Sequence, residues 1–164
     1  MALRRKQLTT ENAQIRLENM CARSEHCEYE LREKLRAWGV GTQDAEMILE
    51  TMRKARYYDD SRFAEAFVRD KLLYNHWGRR KIIIGLKAKR IDGQIIEEAL
   101  DTIEEDVYKR ILKGLMKAKA RSLKEGNTFE GRTKLYRFAL ARGFESSLIA
   151  PILNSGELFE ERGD

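Results

Sequence analysis

The residues that decide the fold run from 57 to 91 and read YYDDSRFAEAFVRDKLLYNHWGRRKIIIGLKAKRI. Two aspartates open the stretch, and a carboxylate at such a point can accept the free N–H groups of a new helix and complement its dipole. Trp77-Gly78 then interrupts the chain, and a basic segment follows. Apolar residues recur at helical spacing before the break, at Phe63, Ala64, Phe67, Val68 and Leu72. The stretch therefore predicts two helices joined by a short turn.

The apolar pattern around the second of these helices is repeated on both sides of it. In each copy two apolar residues precede a helix stop and one apolar residue follows the stop. The matching sets are Leu31, Leu35 and Gly39-Val40; Ile82, Leu86 and Arg90-Ile91; and Leu135, Ala139 and Gly143-Phe144. A further apolar series follows each set, at Ala45, Ile48 and Leu49; Ile96, Ala99 and Leu100; and Ile149, Ile152 and Leu153. A helical period of roughly 50 residues is typical of repeat arrays whose units bury their faces against neighbours.

We therefore predict an all-α protein of three tandem three-helix repeats that form an elongated, curved helical array. The single proline and the scattered glycines favour helices joined by short turns. Ser24, Thr42 and Asp92 are predicted to begin helices. The predicted organisation is a flexible N-terminal arm over 1–10, repeats over 11–57, 58–103 and 104–154, and a loosely held C-terminal tail over 155–164.

Several classes of protein are excluded by the composition. No apolar run approaches the length that spans a membrane, and the basic N-terminus is not followed by the apolar segment of a secretory signal. A cytoplasmic location is expected, with Cys21 and Cys27 reduced. A zinc site would need four ligands, and only His26 lies close to the cysteines. We expect no metal and no cofactor.

Catalytic chemistry has one candidate pair, Asp59 and Asp60. Adjacent carboxylates can bind a metal or act as acid and base. No third carboxylate, histidine or nucleophile follows at a useful spacing, and His76 is isolated beside Trp77. A helix cap accounts for the pair more simply, so we expect no enzymatic activity. Phosphate-cradling glycine loops and hydrolase motifs are likewise missing from the sequence.

Positive charge is concentrated in two segments. Residues 71–90 contain seven basic and no acidic residues, and residues 107–142 contain eleven basic and two acidic residues. In the predicted long helix, Lys109, Lys113, Lys117 and Arg121 follow one another at intervals of four, which places them in a stripe away from the apolar side.

Unneutralised like charges at this spacing are mildly destabilising, so the stripe favours an anionic ligand over a merely solvated face. The aromatic residues Tyr74, Trp77 and Tyr136 accompany the basic segments, as suits contact with a phosphate backbone. Recognition of base sequence is not favoured, because the helix that would enter a major groove, TQDAEMILETM, is acidic. The predicted binding residues are Arg79, Arg80, Lys81, Lys87, Lys89, Lys109, Lys113, Lys117, Arg121, Arg132, Lys134 and Arg137.

Three motifs in the chain resemble those of the RecX family of bacterial regulatory proteins. SEHCEYELREKLRAWGV at 24–40 is similar to the first family signature, and YYDDSRFAEAFVRDK at 57–71 resembles a Tyr-Leu-Asp-Asp-x-Arg-Phe-Ala motif, with Tyr58 at the leucine position. GRRKIIIGLKAKRI at 78–91 resembles the third, with Lys81 at an arginine position and Arg90 in place of glycine. Tyr58, Asp59, Asp60, Arg62 and Phe63 are assigned to the architecture of the junction between the first two repeats.

The resemblance implies three three-helix repeats and a non-enzymatic protein. It further implies binding to RecA and its DNA filament, with inhibition of ATP hydrolysis, strand exchange and filament growth in recombination, repair and SOS control. The expected partners are the RecA filament and both single- and double-stranded DNA. Binding to DNA is expected to be weak and salt-dependent, and the protein is expected to be a monomer. The alternatives are a stand-alone DNA-binding protein that uses the basic helical face, and a helical scaffold for another acidic protein.

Overall fold

The computed structural model describes residues 8–162, with side chains described to residue 159. Over this range the chain forms nine α-helices and a final 3-10 helix, with no strand, so the all-α prediction is confirmed. The helices are α1 Thr10–Arg23, α2 Glu28–Ala37, α3 Thr42–Lys54, α4 Asp60–Leu73, α5 Arg79–Ala88, α6 Gly93–Asp101, α7 Glu105–Ser122, α8 Phe129–Ala141 and α9 Ser146–Asn154. The 3-10 helix spans Glu157–Arg162.

The three helix stops that define the repeat share one backbone geometry. A residue in the left-handed region ends α2, α5 and α8: Gly39 at φ 76°, Arg90 at φ 56° and Gly143 at φ 95°. The next N–H then donates back to the carbonyl five residues earlier, in the pairs Val40–Leu35, Ile91–Leu86 and Phe144–Ala139. This arrangement is the Schellman motif, which satisfies free carbonyls at a helix end. The repeat alignment predicted from the sequence is therefore confirmed in the hydrogen bonds.

Two hydrophobic cores hold the helices together. The first belongs to α1–α3 and centres on Leu17, Leu31 and Met52. The second runs without interruption through α4–α9, with Val68, Ile82, Leu86, Tyr108, Leu112, Met116, Leu135 and Phe144 among its buried members. The second and third repeats consequently share one core, whereas the first repeat has its own.

Close approach of two backbones joins the second repeat to the third. The N–H of Gly78 donates to the Arg142 carbonyl at 2.7 Å, and the N–H of Arg80 donates to the Gly143 carbonyl at 3.0 Å. A Cβ atom at Gly78 would overlap the backbone of Gly143 and Phe144, and one at Gly143 would overlap Lys81. The start of α5 is thus seated directly on the turn that ends α8.

The first repeat is joined to the second by polar contacts and by Cys27 and Tyr29, which pack against the second core. Arg62 donates to both carboxylate oxygens of Glu25 at 2.8 Å, and Lys89 lies 3.1 Å from Glu30. Arg90 stacks over the ring of Tyr29 with 4.9 Å between its guanidinium carbon and the ring centroid. This contact accounts for an arginine at a left-handed position that elsewhere in the repeat carries glycine.

The motif aspartates act at two different helix ends. Asp59 accepts the N–H of Arg62 at 3.0 Å and caps its own helix α4, as predicted. Asp60 instead accepts the N–H of Glu28 at 3.0 Å, and so caps α2 of the preceding repeat. Tyr58 is buried in the first core and donates from its hydroxyl to the Leu49 carbonyl. The motif therefore ties the first two repeats together.

Replacing Asp60 by alanine is expected to lower the free energy of unfolding by about 1 kcal/mol, the usual effect of losing a helix cap. Because the lost acceptor serves α2, amide exchange should accelerate at Glu28 and leave Arg62 unchanged. Asp59→Ala is the matched control, for which the acceleration should appear at Arg62. Hydrogen exchange measured residue by residue separates the two, and equal exchange at Glu28 in wild type and Asp60→Ala would refute the cross-repeat cap.

Two of the three predicted helix starts need correction. Ser24 does not begin α2 but ends α1; Cys27 precedes α2, whose first N–H is already met by Asp60. Thr42 is the first residue of α3 and not its cap, because the Gly41 carbonyl accepts the first helical bond. Asp92 does begin α6 as predicted, accepting the N–H of Gln94.

Both predicted ends of the chain also differ from expectation. Thr9 caps α1 and Thr10 lies within it, so the helix begins inside the predicted arm, whose residues 1–7 lie outside the described range. The tail is not loosely held over its first half, because Leu158 is buried against the second core and Glu157 pairs with Lys113. Residues 163 and 164 lie outside the described range.

Candidate basic binding surface

Arg79, the first of the predicted binding residues, is paired with other side chains of the protein. It pairs with Glu145 at 2.9 Å and with Glu105, and its guanidinium carbon lies 3.9 Å from the centroid of the Tyr108 ring. Burial lowers the pKa of Arg79, but the two carboxylates outweigh it and leave the pKa raised. Arg79 therefore holds α5 against the third repeat and carries no free charge for a ligand.

The hydroxyl of Tyr108 completes this cluster. It accepts the N–H of Arg79 at 3.0 Å and donates to Glu145. Burial, followed by the hydrogen bond to Glu145, raises the pKa of Tyr108 well above its ordinary value. The phenol consequently remains protonated, and the group acts as a structural bridge between α5, α7 and the turn before α9.

Other predicted basic residues also have partners within the protein. Lys89 pairs with Glu30, Lys113 with Glu157 and Lys134 with Glu125 and Glu130. Arg132 donates to Asn154 Oδ1 at 3.0 Å. This partner is neutral, so the positive charge of Arg132 is not balanced by a carboxylate among the described residues. Exposed pairs of this kind contribute little to stability, but they reduce the charge offered to a ligand.

The lysine stripe of α7 lies beside the buried face of the helix and not opposite it. The buried residues Tyr108, Leu112, Met116 and Ala120 each immediately precede a member of the stripe. Successive residues of a helix are about 100° apart, so the stripe flanks the core and leans toward the 3-10 helix. Within the described part of the chain, no ion pair is made by the predicted residues Arg80, Lys87, Lys109, Lys117 and Arg137.

A second group of cations gathers around Trp77 and was largely missed from the sequence. The ammonium groups of Lys71 and Lys81 lie 4.7 Å and 4.6 Å from the centroid of the indole ring. Phe67 meets the same indole edge-on at 6.3 Å. Lys71 comes from α4 and Lys81 from α5, so the break between these helices is what brings them together.

Phe138 has the same environment in the third repeat. Lys119 of α7 lies 5.1 Å and Arg142 lies 5.3 Å from its ring centroid. Arg142 also donates to the carbonyl of Asn75, two residues before Trp77, at 3.1 Å. Since Gly143 lies directly against Lys81, the two aromatic groups belong to one region where the second and third repeats meet.

We call this region the junction surface, defined by Lys71, Trp77, Lys81, Lys119, Phe138 and Arg142. None of its four cations is paired with a carboxylate among the residues that the structure describes. Cations over aromatic faces keep their charge and gain roughly 0.5–1 kcal/mol from the ring. The surface thus offers positive charge at fixed positions, with two flat apolar rings between.

Sequence reasoning identified Lys81 and Trp77 in this region but left out three of its cations. Lys71 and Arg142 mark the ends of the two basic segments, and Lys119 lies off the four-residue stripe. The spacing of these three residues along the chain does not indicate that they lie close together in the folded protein. For two of them a signal was available, an aromatic residue four positions earlier on the same helix turn, as for Phe67 and Lys71 and for Phe138 and Arg142; Lys119 carried none.

The structure offers no arrangement suited to catalysis or to metal binding at the motif aspartates. Asp59 and Asp60 are both engaged as helix caps. In residues 8–159 no three His, Cys, Asp or Glu side chains converge as metal ligands. None of the described helices is long and apolar enough to cross a membrane.

Comparison with known proteins finds relatives of this chain in both sequence and fold. A family model described as RecX, second three-helix domain, matches residues 59–100. The regulatory protein RecX of Thermotoga maritima is 35% identical over 135 residues, which cover 82% of this chain and 78% of the relative. That of Clostridium botulinum is 30% identical over 135 residues, and the chain spans 63% of its length.

A solved structure agrees with these sequence matches in fold. The crystal structure of RecX from Lactobacillus salivarius aligns with a TM-score of 0.80 and 20% sequence identity, covering 91% of this chain and 97% of that one. Fold and surface together define a protein of three-helix repeats with a basic, aromatic-lined face where two repeats meet. The chain belongs to the RecX family of bacterial regulatory proteins, as the three motifs predict.

Proposed function

We propose that the chain is a non-enzymatic regulator that binds RecA and its DNA filament and inhibits ATP hydrolysis, strand exchange and filament growth. The observation that carries the proposal is the junction surface, whose four cations have no carboxylate partner among the described residues. Membership of the RecX family supports RecA as the partner. We further propose that the chain acts as a cytoplasmic monomer, with repeats over 11–57, 58–103 and 104–154.

The chemistry of the junction surface suits a nucleoprotein filament. Lysine and arginine side chains neutralise phosphates and release counterions, a contribution that needs no particular base sequence. Trp77 and Phe138 provide flat apolar surface beside the cations, and aromatic rings among cations are characteristic of proteins that bind single strands. The same cations can meet carboxylates of an acidic protein surface, so one face can contact filament protein and DNA together.

The shared core of the second and third repeats supports this assignment. Lys71 and Lys81 come from one repeat and Lys119 and Arg142 from the other, so the spacing of the cations depends on a rigid junction. The backbone contact between Gly78 and Gly143 supplies that rigidity. A binding face pre-organised in this way loses little conformational entropy when it meets its partner.

The test is the rate of RecA's single-strand-DNA-stimulated ATP hydrolysis, measured with and without the chain at substoichiometric amounts. We expect the rate to fall at a few molecules of the chain per hundred RecA, since a modulator of the filament acts on many subunits at once. No change at equimolar concentration would contradict the proposal. The ATPase activity of the chain alone serves as the control and should be absent.

The second candidate function is a stand-alone DNA-binding protein, which the same surface favours. The two candidates differ in what they bind at physiological salt. A stand-alone DNA-binding protein should bind bare DNA tightly, whereas a filament regulator should bind it weakly until RecA is present. Fluorescence anisotropy of a labelled oligonucleotide, with and without RecA, distinguishes them.

A further inference from the structure

A cleft between α8 and α9, away from the junction surface, has a composition that points to a ligand. It is an open groove of about 600 Å³, lined by Phe129, Arg132, Tyr136, Leu153 and the amides Asn127 and Asn154 among others. None of the lining residues is acidic.

Phe129 is the most exposed large apolar side chain described, with 88% of its surface open to solvent. It is the first residue of α8, where Thr128 already caps the helix, and it belongs to neither hydrophobic core. Tyr136 lines the cleft seven residues later on the same face of α8, about 10 Å along the helix axis. Two aromatic rings are thus presented in a row, one of them with no packing role.

Arg132 lies between the two rings in sequence and keeps its charge. Its guanidinium donates to the Asn154 side-chain oxygen at 3.0 Å and to the Leu153 carbonyl at 3.5 Å, both of which are neutral. Across the described residues, no carboxylate pairs with it. The positive charge of the cleft therefore favours an anionic ligand and would repel a basic peptide.

These three features match the way proteins bind single-stranded nucleic acid. Bases stack on aromatic rings, a guanidinium meets phosphate, and amide side chains hydrogen-bond to base edges. The rings of Phe129 and Tyr136 are farther apart than the two faces of one base, so each would serve a different nucleotide. Phe138 of the junction surface is nine residues from Phe129, which places it on the opposite side of α8.

We propose that the α8–α9 cleft is a separate binding site for single-stranded nucleic acid, with Phe129 and Tyr136 stacking on bases and Arg132 contacting the backbone. The assignment rests on the proposed function, because it adds a second set of base contacts to a protein already proposed to bind DNA at the junction surface. It gives the third repeat its own preference for unpaired strands.

The experiment compares two probes of equal length, an oligodeoxythymidylate and an abasic oligonucleotide that retains the phosphates but has no bases. Phe129→Ala, alone and with Tyr136→Ala, should weaken binding of the thymidylate by about five-fold or more, the usual effect of losing one stacked base. Binding of the abasic probe should be unchanged. Ile84→Ala, which removes a side chain that is 68% exposed elsewhere, is the matched control and should affect neither probe.

A spectroscopic variant tests the same contact directly. The fluorescence gained by Phe129→Trp over the wild type, a difference that removes the contributions of Trp38 and Trp77, should be quenched by the thymidylate and not by the abasic probe. Circular dichroism and thermal melting check that each variant is folded, and Phe129→Ala should melt with the wild type because the ring contacts no core.

The outcomes separate this inference from the proposed function. Equal weakening of both probes, or unchanged thymidylate binding, would overturn the base-stacking site. Unchanged oligonucleotide binding with lost RecA inhibition would also overturn it, since the cleft would then receive a protein. Failure of RecA inhibition by the wild type, with base-dependent binding intact, would instead remove the proposed function and leave the cleft assignment standing.

Discussion

Gly78→Ala is expected to lower the free energy of unfolding by about 2–3 kcal/mol, the range of a buried site forced to accept an extra group. The added methyl group would meet backbone atoms of Gly143 and Phe144, which cannot rotate away. The start of α5 would have to move off the turn that ends α8, with loss of the Gly78–Arg142 and Arg80–Gly143 hydrogen bonds. Since folded domains are stable by roughly 5–15 kcal/mol, this is a large part of the total.

Urea denaturation followed by circular dichroism measures this loss, and Gly114→Ala provides a matched control. Gly114 lies in the middle of α7 with open space where a Cβ would stand. Alanine there should raise stability by about 0.8–1 kcal/mol through helix propensity alone. If Gly78→Ala were as stable as the wild type, the close seating of the second repeat on the third would be wrong.

Reversing the charge of the junction surface is expected to have the largest effect on binding. The triple variant K71E/K81E/R142E should weaken binding to single-stranded DNA and to the RecA filament by roughly 10- to 100-fold at physiological salt. The dependence of log affinity on log salt should become shallower by about 2, since each phosphate contact on a single strand contributes about 0.7. Inhibition of RecA ATP hydrolysis should decline in parallel.

The matched control changes the same net charge in the first repeat. K34E/R36E/K54E reverses three exposed cations of α2 and α3, and it should retain most of the binding. Equal loss in both variants would show that overall charge, and not the junction surface, determines affinity. K71M/K81M/R142M, which keeps apolar stems over Trp77 and Phe138, should weaken binding less steeply and confirm that lost charge, and not lost packing, is responsible.

The two junctions between repeats differ in physical character, and this difference determines where a rigid face can form. Salt bridges and caps such as Glu25–Arg62 and Asp60–Glu28 join the first repeat to the second. A continuous apolar core joins the second repeat to the third. Ion pairs at exposed positions are weakened by salt, whereas buried apolar contacts are not. The junction surface lies across the second and third repeats, whose relative positions are fixed by this shared apolar core.

Local pattern in the sequence determined the helices, their stops and the repeat. A helix face is encoded by residues three and four apart, so Ala64, Val68 and Leu72 indicate α4 without reference to the rest of the chain. The N–H of the residue after each stop donates back to its own helix, as in Val40, Ile91 and Phe144, and this too is local. Three short motifs, at 24–40, 57–71 and 78–91, together indicated the family.

Only the tertiary structure decided which charges are available and which are neutralised. Arg79 pairs with Glu145, 66 residues away, and Lys89 with Glu30, 59 residues away, and no sequence spacing encodes such partners. The junction surface assembles Lys71, Lys81 and Arg142 because α5 rests on the turn after α8. Periodicity specifies each helix because its contacts are near in sequence, whereas the pairing and grouping of charges depends on how distant helices pack.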